Sequence, residues 1–117
     1  MIRSIQKILS NFINSINGFK VVLKEHSFKA EIIIGITLIP FLIIINTSDI
    51  IKILIIVIYF LLLAFELFNT SIEKLSDKIN KEFDLDIKNI KDMSSAAVFI
   101  ILLLLIYLLI LSILISN

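Results

Sequence analysis

The sequence predicts an all-α integral membrane protein, with three transmembrane helices preceded by an amphipathic helix on the membrane surface. One reason is composition, since 59% of the 117 residues are hydrophobic and the mean hydropathy is +1.08. A soluble domain of this size buries too little of its surface to hide so many apolar side chains. The other reason is pattern, because three long apolar runs alternate with polar segments. Residues 1–117 are therefore treated as a single membrane domain.

Residues 2–24 are predicted to form the amphipathic helix. Apolar side chains recur at spacings of three and one, which places them along one stripe of a helix. Most polar residues fall on the opposite side, namely Arg3, Lys7, Asn11, Asn14 and Lys20. Charges this frequent exclude a span, so the helix is expected to lie on the membrane surface, where it can also pack on the transmembrane bundle.

Three apolar stretches follow along the chain. The first, residues 30–46, is about 17 residues long, near the lower limit for a transmembrane helix. The second, residues 50–68, is about 19 residues long and is expected to continue as a helix into water, to about residue 80. The third, residues 93–115, is about 23 residues long and is the clearest transmembrane signal. Asp92 stands immediately before it, in the position of an N-cap.

The distribution of lysine and arginine predicts the orientation. Only Lys52 lies near the first turn, and the C-terminus has no basic residue. Basic residues are concentrated before the first span and in the second connection, at Arg3, Lys7, Lys20, Lys24, Lys29, Lys74, Lys78, Lys81, Lys88 and Lys91. By the positive-inside rule, the N-terminus and the second connection are expected to be cytoplasmic and the C-terminus to lie outside.

Composition also excludes several kinds of protein. The formal net charge is only +1, and the lysines alternate with acids, so the sequence does not support nucleic-acid binding. There is no cysteine, hence no disulfide and no thiolate metal ligand. Gly18 and Gly35 are the only glycines, so neither a Walker A loop nor a GxGxxG turn is present. Any bound phosphate would have to be held by a metal ion and lysines.

A polar stripe near the end of the second span is the strongest functional signal. Glu66, Asn69, Thr70, Glu73 and Asp77 fall within about 100° of one another on a helix. A carboxylate as deep as Glu66 is costly unless it is protonated, paired or bound to a cation. One interpretation is an interhelical hydrogen-bonding pair of Glu66 with Asn69 that only fixes assembly.

A second interpretation is catalytic. Mg²⁺ accepts one or two carboxylates together with phosphate oxygens and water, and Glu25 and Glu73 are candidate ligands. Glu66 lies at the level of a lipid hydroxyl, where it could accept a proton, which suggests phosphoryl transfer from a Mg-nucleotide to a lipid alcohol. A non-enzymatic channel or assembly protein is the alternative from another class, but residues 32–45 and 100–111 offer almost no polar side chains to a pore.

Three segments also resemble a known family. EHSFKAE precedes the first span, ELFNTSIEKLSDKI ends the second, and KEFDLDIKNIKDMSSAAV leads into the third. Together they closely resemble the small prokaryotic diacylglycerol kinases, which include the undecaprenol kinases. The resemblance implies a homotrimer in the bacterial inner membrane, with active sites shared between protomers, and with Mg²⁺ and ATP as cofactor and co-substrate.

The same resemblance implies roles for individual residues. Glu66 looks like the general base that contacts the lipid substrate, and Asn69 like its polar partner at the reacting centre. Glu25 and Glu73 look like metal ligands, Glu73 also contacting the nucleotide. The remaining matches are Lys91, Asp92, Lys7 and Ser15 for the nucleotide, Glu31 for the lipid substrate, and Asp77 with no assigned role.

Two lipid substrates fit the resemblance. Diacylglycerol, phosphorylated by MgATP to phosphatidic acid, is favoured by KDMSSAAV and by Glu31. Undecaprenol is the alternative, and in that branch an arginine-isoleucine-histidine run is expected where this chain has FKAEI.

Overall fold

The computed structural model describes residues 2–116, apart from the side chain of Ile2, and consists of helices joined by short connections. The helices are α1 (Ile2–Val22), α2 (His26–Ile44), α3 (Asp49–Ile79) and α4 (Leu85–Leu114). Helices α2, α3 and α4 are each long and apolar enough to cross a membrane, and the described residues contain no strand. The prediction of an all-α fold with three such helices is therefore confirmed.

The first helix, α1, stands apart from the other three. Among residues 3–22 the side chains are exposed along almost the whole helix, and only Val22 at its end is buried, with 3% of its surface exposed. The exposed residues include the apolar stripe, namely Ile5, Ile8, Leu9, Phe12, Ile13, Ile16 and Phe19. An apolar stripe that no other part of the described chain covers is suited to a membrane surface.

The core lies between the other three helices, with α3 in contact with both α2 and α4. It is built from Leu38 of α2, Ile55 and Leu62 of α3, and Leu105 and Leu108 of α4. These side chains fill the interior with aliphatic groups, and most other apolar residues of the three helices point outward. A chain whose solvent is lipid has no need to bury those outer side chains.

The start of α4 corrects the prediction that Asp92 caps the third helix. The helix begins at Leu85, and its N-cap is Asp84, whose carboxylate accepts hydrogen bonds from the backbone N–H of Asp86 at 2.9 Å and of Ile87 at 3.1 Å. Asp92 lies two turns inside α4. The prediction was wrong because it took the start of the apolar run as the start of the helix, whereas a cap is fixed by local hydrogen bonds.

The contact between α2 and α3 depends on a glycine. Gly35 lies against the ring of Tyr59, and the Tyr59 hydroxyl donates a hydrogen bond to the backbone carbonyl of Glu31 at 3.1 Å. A Cβ at position 35 would overlap the hydroxyl end of that ring. Glycine therefore allows α2 and α3 to approach closely at this level.

Gly35→Ala is expected to lower the thermal unfolding midpoint in detergent. The gain in helix propensity is about 1 kcal/mol, but overlap with Tyr59 costs about 1–3 kcal/mol and removes the hydrogen bond to Glu31. Gly18→Ala is the matched control, because a Cβ at Gly18 meets no atom within 4 Å. Circular dichroism during heating measures both variants, and equal midpoints would show that α2 and α3 do not pack through Gly35.

Candidate active site

The polar stripe on α3 changes from buried to open along the helix. Glu66 and Asn69 are buried, with 4% and 7% of their surface exposed, and Thr70 is buried beside them. Glu73 is half-buried and Asp77 is exposed. The axial rise from Glu66 to Asp77 is about 16 Å. One end of the stripe is therefore shielded among the helices, while the other opens at the charged end of the bundle.

One hydrogen bond connects the middle of the stripe to α4, and a second joins two residues of the stripe itself. The Ser94 hydroxyl donates to Oδ1 of Asn69 at 2.8 Å, and Nδ2 of Asn69 donates to Oε1 of Glu73 at 3.2 Å. These bonds join Asn69 and Glu73, two residues of the predicted stripe, to Ser94, to which the sequence analysis gave no role. The sequence signal for Ser94 was a hydroxyl group near the beginning of an otherwise apolar run.

The hinge between α1 and α2 is held to α3 by an ion pair. Nζ of Lys74 lies 2.6 Å from Oε1 of Glu25, which places Glu25 beside the turn of α3 that carries Glu73. The hydrogen bond from Lys74, and then its charge, lower the pKa of Glu25 below its ordinary value. The ion pair is therefore present at neutral pH and is lost as the pH falls through that lowered pKa.

A second carboxylate lies close to Glu66. Glu31, near the start of α2, is buried, and its charge interacts with that of Glu66. Within residues 2–116, Oε2 of Glu31 has no hydrogen-bond partner. The predicted substrate residues are thus brought together at the shielded end of the stripe, with one carboxylate oxygen left free to bind another polar group.

The open end of the stripe forms a cavity with the start of α4. Lys91 donates to Oδ1 of Asp77 at 2.9 Å, and Lys88 pairs with Asp92 at 2.5 Å. The cavity has a volume of about 590 Å³ and is lined by Asp77, Asn80, Lys81, Glu82, Phe83, Asp84, Ile87, Lys88, Lys91 and Asp92. Several lysines and one exposed aromatic ring suit a phosphorylated ligand with a flat base.

Lys7 and Ser15, both on α1, are not brought to this site in the protomer. Their side chains are exposed, and the Ser15 hydroxyl donates to the carbonyl of Asn11, one turn earlier in the same helix, at 3.0 Å. In the described part of the chain, no extended packing joins α1 to the other helices. Their nucleotide roles stay predictions.

The carboxylates of this site suit Mg²⁺ that is bound together with a nucleotide. No three His, Cys, Asp or Glu side chains among residues 2–116 form a cluster able to hold a metal ion. Mg²⁺ bound with a nucleotide needs only one or two carboxylates, since phosphate oxygens and water complete its shell. Glu25 and Glu73 lie at the same level of α3 and supply that number. The residues therefore fit a metal held jointly with phosphates.

Fold and site together define a small helical membrane protein with a carboxylate, amide and lysine site at one end of its apolar helices. The model of the family "Prokaryotic diacylglycerol kinase" matches residues 13–114. A diacylglycerol kinase of Pseudomonas aeruginosa is 32% identical over 99 residues, which cover 84% of this chain and 80% of that protein. The chain belongs to the prokaryotic diacylglycerol kinase family, and this membership supports a lipid kinase. Ser15 lies within the matched residues and Lys7 before them.

Proposed function

We propose that the protein transfers the γ-phosphate of MgATP to the hydroxyl of diacylglycerol, giving phosphatidic acid. The observation that carries this proposal is the gradient along α3, with Glu66 shielded among apolar helices and Glu73 nearer the open cavity, whose lining includes three lysines and four acids. The proposal assigns the lipid alcohol to the first position and the nucleotide to the second. Family membership and the Pseudomonas relative support the same activity.

Glu66 is proposed as the base. Its carboxylate takes the proton of the lipid hydroxyl as the new oxygen–phosphorus bond forms and the bond between the γ-phosphorus and the bridging oxygen of ADP breaks. Burial of Glu66 excludes competing water from the proton acceptor. Glu31, which interacts with Glu66, is proposed to bind the polar part of the lipid, and its Oε2 atom, which has no hydrogen-bond partner among residues 2–116, supports this role.

We assign phosphate binding to the C-terminal end of α3 and the first turns of α4. Lys91, held by Asp77, and Lys88, paired with Asp92, line the cavity proposed for the nucleotide. Mg²⁺, when bound, would neutralise charge on the transferring phosphate. Glu25 and Glu73 would hold it, and Lys74 must release Glu25 for that purpose. Most of the catalysis then comes from positioning and charge neutralisation.

The proposed reaction also requires a particular membrane, orientation and oligomeric state. We place the protein in the bacterial inner membrane, with α1 and the connection at residues 80–84 on the cytoplasmic side, where ATP is available. A homotrimer with shared sites would cover apolar surface that α2, α3 and α4 leave exposed. In such a trimer, Lys7 and Ser15 of one protomer would contact a nucleotide bound at the neighbouring protomer. A channel is disfavoured because aliphatic side chains fill the space between the helices.

The test is a reconstitution assay with both lipids. Purified protein in lipid vesicles receives γ-labelled ATP, Mg²⁺ and either diacylglycerol or undecaprenol, and the labelled lipid is separated by chromatography. Labelled phosphatidic acid is the expected product. Product from undecaprenol alone would assign the polyprenol as the substrate, and no labelled lipid from either would overturn the kinase proposal.

A further inference from the structure

We propose that Ser94 is a positioning residue of this site: its hydroxyl fixes the amide of Asn69, which in turn holds the carboxylate of Glu73. The inference rests on the proposed function for the role of Glu73 as a metal ligand. It assigns a task to a side chain of α4 that neither the residue pattern nor the family resemblance singled out. The role of Ser94 can be recognised only from the structure, because it depends on how α4 packs against α3.

The direction of each hydrogen bond follows from the chemistry of the three groups. An ionised carboxylate can only accept, so the Asn69 atom that faces Glu73 must be Nδ2, at 3.2 Å from Oε1. The amide is planar, and Oδ1 therefore points to the other side, where the Ser94 hydroxyl lies 2.8 Å away. An amide oxygen only accepts, so Ser94 donates.

This arrangement selects one of the two orientations of the Asn69 amide. Asn69 is buried, so Oδ1 would have little access to water if Ser94 lost its hydroxyl. A buried acceptor without a donor is unfavourable, so the amide would turn toward any other donor or water within reach, and its hydrogen bond to Glu73 would weaken. Glu73 would then be free to adopt other rotamers. Ser94 thus keeps one oxygen of Glu73 occupied and leaves the other for a cation.

Groups that orient metal ligands commonly affect metal affinity by about 10–100-fold. The matched pair of adjacent serines makes this testable, because Ser94 contacts Asn69 whereas the side chain of Ser95 is exposed. Ser94→Ala removes the donor, Ser94→Thr keeps a hydroxyl at the same carbon, and Ser95→Ala removes an equivalent hydroxyl from the surface of the same helix turn.

The experiment measures binding of Mn²⁺ with β,γ-methylene-ATP to the full-length protein in detergent, using the electron paramagnetic resonance signal of free Mn²⁺. Ser94→Ala is expected to weaken Mn²⁺ binding about tenfold. Ser94→Thr is expected to restore most of that affinity, and Ser95→Ala to match the parent protein. In the lipid kinase assay, Ser94→Ala should raise the Mg²⁺ concentration needed for half-maximal rate.

Two results would overturn the proposal. One is Mn²⁺ affinity in Ser94→Ala equal to that in Ser95→Ala. The other is a lowered unfolding midpoint and weakened binding in both Ser94→Ala and Ser94→Thr, which would show that the serine only packs α4 against α3. Failure of the proposed function is a separate result: the parent protein would phosphorylate neither lipid, while the Mn²⁺ measurements would still compare the serine variants.

Discussion

Glu66→Gln is expected to lower the turnover number about 10²- to 10⁴-fold while the protein remains folded and assembled. The amide has nearly the shape of the carboxylate but cannot accept the proton of the lipid hydroxyl. Because Glu66 is buried among the helices, water cannot easily replace it as the acceptor. The loss should therefore appear in the maximal rate more than in the concentration of lipid that half-saturates the enzyme.

The measurement combines the labelled-ATP assay with size-exclusion chromatography of the detergent-solubilised protein. Asp49→Asn is the matched control, because it makes the same chemical change on an exposed side chain in the first turn of the same helix. Position 49 lies about 25 Å along α3 from Glu66. Activity of Glu66→Gln close to that of the control would remove the assignment of Glu66 as the base.

Glu73→Ala is expected to raise the Mg²⁺ concentration required for half-maximal activity about 10- to 100-fold. The reason is the loss of one of the two carboxylates that we assign to the metal. The lipid concentration for half-saturation should change little, since Glu73 lies about 10 Å along the helix from Glu66. A complete Mg²⁺ titration at fixed ATP and lipid separates the two effects.

Asp86→Ala serves as the control for Glu73→Ala. Asp86 is an exposed acid in the first turn of α4 and does not line the cavity. Its removal alters the charge at the same end of the bundle without removing an assigned ligand. Superimposable Mg²⁺ titrations for the two variants would contradict the ligand role of Glu73.

The sequence predicted the large features because they depend on long, repeated signals. Three apolar runs of membrane-spanning length are unambiguous in a chain with so few polar interruptions. The stripe from Glu66 to Asp77 was visible because a single helix fixes its own faces. In the structure Glu66 and Asn69 are buried on α3, and the ion pair with Lys74 brings Glu25 to the level of Glu73.

Features that depend on contacts between helices were not predictable in the same way. The partner of Asn69 is determined by the rotation of α4 about its own axis, which the pattern of a uniformly apolar helix does not specify. The pairing of Asp77 with Lys91 depends on the same rotation of α4. It gives Asp77 a contact that the sequence could not assign. The true cap, Asp84, was missed because another aspartate lies at the edge of the apolar run.

The short connection at residues 80–84 has a mechanical consequence. It ties the ends of α3 and α4 together, and the bonds from Ser94 to Asn69 and from Lys91 to Asp77 reinforce that junction. The hinge after α1 is linked to α3 through the partly exposed ion pair of Lys74 with Glu25. The junction of α3 with α4 is thus held more firmly than the hinge at Glu25, and we expect a bound nucleotide to shift Glu25 rather than to separate α3 from α4.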